Sequence, residues 1–232
     1  MRIISTKNNL DVLYEDNHLI IVNKRVGDIV QGDKTKDKPL SDIVKEYIAD
    51  KYNKLGNVYL GVVHRLDRPT SGIVIFAKTS KALSRLNKML RDKEIKKTYL
   101  AIVKNKPKNN KDTLIHYLRK NQKNNKAIIF KKDTNDTKKA ILHYTIIKEL
   151  DRYYILEIDL ETGRHHQIRA QLSAINCPIK GDLKYGFDRS NKDGGIHLHA
   201  HKIEFIHPVK KDKLTVLAPT PNDVVWNALK YN

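Results

Sequence analysis

Apolar residues in this chain fall into short runs bounded by turn residues rather than into long helical stripes. Val12 to Tyr14, Leu19 to Asn23, Gly61 to His64, Gly72 to Ala77, Thr98 to Val103, Ala127 to Phe130, Ala140 to Ile147, Tyr153 to Leu160, Leu198 to Phe205 and Leu214 to Ala218 read as strands. Helical spacing occurs in four places. Leu40 to Tyr52 is one, and Ser80 to Met89 is a second, with Leu83, Leu86 and Leu90 at i, i+3 and i+7. Arg164 to Ile175 sets Ile168, Leu172 and Ile175 on one stripe, and Asp223 to Leu229 follows the start signal Pro221-Asn222. Many strands with few helices between them predict an α+β fold, a mixed, mainly antiparallel central sheet with flanking helices. No repeat and no linker divides the pattern, so residues 1–232 read as a single domain.

Composition narrows the class. With 40% hydrophobic residues and only 10 Gly and 7 Pro, the chain is neither collagenous nor disordered, and its length can bury a core. No apolar run approaches the roughly 20 residues of a membrane span, and Met1-Arg2-Ile3-Ile4-Ser5 lacks the apolar core of a signal peptide. A cytoplasmic protein without membrane attachment is the expectation. The lone Cys177 excludes an intrachain disulfide and a CxxC metal clip.

A net charge of +19 points to a polyanion, nucleic acid first, although lysines set among asparagines also reflect an AT-rich genome. Residues 104–139 carry 11 Lys and one Arg against three Asp. Because Leu114 to Leu118 and Ala127 to Phe130 are strand-like, this segment reads as a basic hairpin-like insertion.

Four constellations could carry chemistry. Between two apolar strands, His64-Arg-Leu-Asp-Arg-Pro-Thr-Ser-Gly72 presents Asp67 between Arg65 and Arg68 at a strand end, either as a functional carboxylate or as the cap of a turn. Glu161-Thr-Gly-Arg-His-His-Gln-Ile-Arg169 reads as a helix start near Gly163 or Arg164 whose first turns hold Arg164, His165, His166 and Arg169. Each such cation opposes the helix dipole by about 0.3–1 kcal/mol, so the segment is either an anion site or a solvated polar face. Lys97-Thr-Tyr-Leu-Ala101 begins a strand, and Tyr99 is either a sheet aromatic or a base-stacking residue. His197, His199 and His201 alternate on one strand face. Without a nearby carboxylate or cysteine they read as strand residues, and no metal is expected. Glycine-rich phosphate loops are absent.

Taken together these segments resemble the RluA family of pseudouridine synthases over nearly the whole chain. His64 to Gly72, Lys97 to Ala101 and Thr162 to Arg169 match its HRLD-x-x-TSG, K-x-Y-x-A and TGR-x-HQIR elements in order. Leu13 to Lys24 precede them, and Gly181-Asp182, Tyr185-Gly186 and Leu198-His199-Ala200 follow. The resemblance implies the pseudouridine synthase catalytic fold, without the N-terminal RNA-binding domain of many relatives. It implies Asp67 as the catalytic aspartate, Tyr99 as the residue stacking on the target uracil, Arg169 as the cation paired with Asp67, and Arg65 as the arginine that enters the RNA. Arg164, His166 and Leu198 join them as substrate-binding residues. One departure stands in the opening motif, usually NKPxG, which here is Asn23-Lys-Arg-Val-Gly27.

The implied activity is isomerisation of specific uridines in ribosomal or transfer RNA, a reaction that needs no cofactor; a monomer is the default expectation. A noncatalytic RNA-binding or ribosome-assembly protein is the alternative, and a histidine-dependent metal phosphoesterase a third.

Overall fold

The structure, a computed structural model, describes residues 3–33 and 35–229, so Met1 and Arg2 of the opening segment lie outside the described residues. In chain order the elements are β1 (Val12–Glu15), β2 (Leu19–Lys24), α1 (Leu40–Lys51), β3 (Gly61–Val62), β4 (Ser71–Ala77), α2 (Ser80–Arg91) and β5 (Lys96–Val103). There follow β6 (Lys111–Asn121), β7 (Lys126–Phe130), β8 (Lys138–Glu149), β9 (Tyr154–Leu160), α3 (Gln167–Ala174), a single 3-10 turn (Leu183–Tyr185), β10 (Leu198–Ile206), β11 (Lys213–Leu217) and α4 (Val224–Asn227). This is the mainly antiparallel α+β architecture expected. The chain forms two compact units, one of residues 1–95 and 200–221, the other of residues 96–199 and 222–232.

In the first unit the strand order is β1-β2-β4-β10, with β3 on β4 and β11 on β10. Strands β2 and β4 are buried along almost their whole length, which is why both read as continuous apolar runs rather than alternating ones. Ile20, Val22, Val74 and Phe76 meet Leu40, Val44 and Ile48 of α1, the i, i+4, i+8 stripe that the helical pattern supplies. Helix α2 begins at Ser80 because Thr79 accepts a hydrogen bond from the Ala82 amide. Its buried face is Ala82, Leu86 and Met89, so the Leu83/Leu90 stripe read from the sequence is rotated to the half-buried flank.

In the second unit the order is β5-β9-β8-β6-β7, antiparallel throughout. The basic segment 104–139 contains β6, β7 and the first residues of β8, and β6 is paired on both sides. Leu118, Ala127 and Ala140 pack with Ala170 of α3 and with Tyr185. A second cluster joins Leu100, Ile102 and Ile155 to Trp226 of α4, whose start is capped by the Asp223 carboxylate accepting from the Val225 and Trp226 amides.

Candidate active site

The loop from β3 to β4 is held by its backbone. The Asp67 carbonyl accepts from the Thr70 amide at 3.0 Å, closing a turn with Arg68-Pro69 at its centre. The Arg68 carbonyl accepts from the Gly27 amide at 2.8 Å and from Lys24 Nζ at 3.2 Å. Lys24 is 1% exposed, and its ammonium also donates to the Arg25 carbonyl at 2.9 Å and to the Asp28 carbonyl at 2.8 Å. A buried cation persists only when its donors are satisfied, and here three carbonyls do so while pinning two loops together. The turn at Asn23 to Gly27 thus forms with Arg25 in place of proline. Gly27 takes a φ of 91°, and Arg25 reaches Asn9 with its guanidinium.

Asp67 is half-buried on this turn, Arg65 is exposed, and Arg68 is drawn to Asp37 and Thr35. His64 is part of the scaffold, its Nε2 accepting from the Ile75 amide at 3.2 Å. Gly72 re-enters β4 at a φ of +112°, and a Cβ there would lie 2.3 Å from the Ala200 carbonyl oxygen. Only glycine fits that position.

In the second unit the TGRHHQIR segment is a turn followed by a helix. Helix α3 starts at Gln167, three residues later than the spacing predicts, because the Gln167 side chain captures the segment before it. Its Oε1 accepts from the Arg164 amide and from Thr162 Oγ1, and its Nε2 donates to the Ile141 carbonyl of β8. His166 stands at the helix N-cap in the left-handed region, φ 52° and ψ 26°, a conformation that costs a β-carbon-bearing residue about 1 kcal/mol or more. Arg164 and His165 therefore precede the helix, and of the four expected cations only Arg169 sits in its first turn. Arg164 is exposed, its Nε donating to the Lys139 carbonyl at 3.0 Å.

Arg169 is buried and makes a two-pronged contact with Asp182, Nε to Oδ2 at 2.6 Å and Nη2 to Oδ1 at 2.8 Å. Its guanidinium carbon also lies 5.0 Å from the Tyr185 ring centroid. The Tyr185 hydroxyl accepts from the Ala127 amide at 2.7 Å and is hydrogen-bonded with His166 Nδ1 at 2.8 Å. Arg164, His166 and Arg169 are in this way gathered around one turn. Asp182, Tyr185 and Gln167 are the residues that gather them. Sequence reasoning gave these three no role, although Gly181-Asp182, Tyr185-Gly186 and the HQIR glutamine were visible in it.

Tyr99 is 9% exposed on β5, opposite Ile158 of β9, and Leu198 is 4% exposed at the start of β10. Lys97, two residues before Tyr99, is half-buried, and burial lowers its pKa. Its Nζ is close enough to Gly163 that a Cβ there would stand 3.4 Å away. An ammonium losing hydration in this way gains from an anionic ligand. The three histidines expected on one strand face have separate duties. His197 contacts Asn191 and Asp223 and stacks on Trp226, His199 meets the same ring edge-on, and His201 contacts the Ala218 carbonyl. Among the described residues no helix is long and apolar enough to cross a membrane.

Comparison with known proteins shows the family of the chain. A family model described as RNA pseudouridylate synthase matches residues 18–174. Ribosomal large subunit pseudouridine synthase C of Buchnera aphidicola is 36% identical over 97% of this chain and 70% of its own length. Ribosomal large subunit pseudouridine synthase D of Xylella fastidiosa is 30% identical over 93% of this chain and 67% of its own length. Among solved structures, human RNA pseudouridylate synthase domain containing 4 superimposes with a TM-score of 0.78 at 20% identity, covering 95% of this chain and 92% of the other, a likeness of fold. The chain therefore belongs to the RNA pseudouridylate synthase family, RluA type, whose members are isomerases.

Proposed function

We propose that the chain converts specific uridines of ribosomal or transfer RNA to pseudouridine, with Asp67 as the essential carboxylate. The reaction breaks the N1–C1′ glycosidic bond, turns the uracil and forms a C5–C1′ bond; the C5 proton is released and N1 gains one. No electrons are exchanged, so the chemistry asks for an ionised carboxylate acting on sugar or base, a cationic surround and a place for the flipped ring. The observation that carries the reading is the presentation of Asp67 on a turn whose backbone is fastened by Lys24, Gly27 and Thr70, the preorganisation a reacting group needs.

Tyr99 stacks on the uracil, returning about 1–3 kcal/mol of the few kcal/mol that flipping costs. Arg65, exposed and without a partner among the described residues, enters the RNA where the nucleotide leaves. Arg164, His166, Arg169 and Leu198 complete the substrate-binding set, and the enzyme works as a cytoplasmic monomer without a cofactor. The relatives named for the ribosomal large subunit favour ribosomal RNA as substrate.

The test is a map of pseudouridine in ribosomal and transfer RNA from cells lacking the protein, then resupplied with the wild type, Tyr99→Phe or Tyr99→Ala. At least one position should disappear, return with the wild type and Tyr99→Phe, and stay absent with Tyr99→Ala. An unchanged map would refute the activity, and full restoration by Tyr99→Ala would refute the stacking role.

A further inference from the structure

The three strands β7-β6-β8, at one end of the strand order of the second unit, have one closed and one open face. Residues directly opposite in an antiparallel ladder share a face, and alternate residues of a strand share it too. Leu114 and Leu118 of β6 point to the closed face, where Leu118 packs with Ala127, Ala140, Ala170 and Tyr185. Ile115, Tyr117 and Arg119 point the other way.

Across the open face Tyr117 stands between Phe130 of β7 and Lys139 of β8, Arg119 stands opposite Ile128, and Ile115 opposite Ile141. Ile115 is 51% exposed, Ile128 is 37% exposed, and Lys139 and Arg119 are exposed as well, with Tyr117 and Phe130 half-buried between them. The face carries two aromatic rings yet contributes none of the buried residues of the neighbouring core cluster. The Arg119 guanidinium lies 5.0 Å from the Phe130 ring centroid, and its acidic neighbour, Asp136, is at 3.9 Å and itself mostly exposed. Such a surface, apolar, aromatic and open at the β7 end of the strand order, is an association hazard unless something uses it.

Charge selects the user. Strands β6, β7 and the first two residues of β8 belong to residues 104–139, with 12 basic side chains against three acidic ones, so the partner is an anion. Two neighbouring π-faces with a guanidinium over one of them add a demand that lipid headgroups do not meet, namely flat rings to stack. We infer that the open face of β6, β7 and β8, centred on Tyr117, Phe130 and Arg119, is a stacking platform for unpaired nucleotides of the RNA. The inference rests on the reading that this chain acts on RNA, and it names a surface separate from the residues proposed for chemistry. Strand β8 links the two: the Lys139 carbonyl takes Arg164 Nε at 3.0 Å, and the Ile141 amide donates to Thr162 Oγ1 at 2.8 Å. A strand of RNA held on the platform is thereby registered against the TGRHHQIR turn.

The experiment measures binding of a short labelled oligocytidylate by fluorescence anisotropy at fixed salt. This ligand contains no uridine, so its binding is independent of isomerisation. Tyr117→Ala and Phe130→Ala should each weaken binding about tenfold, as should Phe130→Leu, which keeps apolar bulk but loses the ring, while Tyr117→Phe should bind as the wild type does. Equal affinity of Phe130→Leu and the wild type, with both folded by thermal melting, would overturn the platform, as would absence of wild-type binding. Failure of the wild type to release tritium from C5-labelled ribosomal and transfer RNA defeats the proposed function instead, so the two failures are told apart.

Discussion

Arg169 is a buried cation, and Asp182 holds it with both carboxylate oxygens. With 5% and 1% of their side chains exposed, the pair has exchanged most of its hydration for two charge-assisted hydrogen bonds. Removing the carboxylate takes both of these hydrogen bonds from a guanidinium that keeps little hydration. Asp182→Ala should therefore cost about 3–5 kcal/mol of stability, read from urea denaturation, and Asp182→Asn should cost less because an amide oxygen still accepts. A loss below about 1 kcal/mol for Asp182→Ala would show that the guanidinium is neutralised by other means. At this scale the sequence revealed residue types better than partners. Arg169 stood out because a cation in a helix's first turn breaks a local rule, whereas Asp182, 13 residues away across a turn, breaks none and becomes meaningful only in three dimensions.

Elements were legible where burial writes a period and obscure where polar side chains do the positioning. The strands from Leu19, Thr98, Tyr153 and Leu198 fall within one or two residues of their expected bounds, since buried apolar runs define them. Strands β6 and β8 outrun their apolar cores, because Lys111, Asp112, Lys138 and Lys139 lengthen the ladder through backbone bonds that leave no hydrophobic trace. The start of α3 was misplaced for a related reason: a glutamine amide fixes it, and no periodicity encodes that.

Glu15 illustrates the same rule on β1. Burial alone would raise its pKa, but hydrogen bonds from Lys51, Lys78 and Tyr52, with the attraction of Lys78, bring it down to about 2. A carboxyl lowered on folding stabilises the protein above its unfolded value near 4.5, and that stabilisation is lost as pH falls toward 2. After allowance for solvent around the exposed end of Lys51, the ion cluster should contribute about 1–2 kcal/mol at neutral pH. Thermal melts of the wild type and Glu15→Gln should differ most at pH 6 and converge near pH 2. Parallel stability curves across that range would show that Glu15 does not bind β1 to α1.

For the whole molecule, the charge of +19 directed attention to nucleic acid without locating any chemistry. Much of the surplus belongs to the β6-β7 region, where it surrounds an open aromatic face. Asp67 and Arg164 instead sit on turns fastened by Lys24 and by Gln167. Family membership followed from motifs kept in order along the chain, while the two compact units were not legible, because β10 begins in one unit with Leu198 and His199 and continues in the other from Ala200.

The central claim is that Asp67 drives exchange of the N1–C1′ bond for a C5–C1′ bond in RNA. Tritium release from ribosomal and transfer RNA carrying C5-tritiated uridine reports that exchange directly, since the C5 proton leaves only when the new bond is made. The wild-type protein should release tritium to a plateau matching the number of modified sites, and Asp67→Asn, folded to the same melting temperature, should release none. Release by Asp67→Asn at the wild-type rate, or none by the wild type from either RNA, would contradict the account.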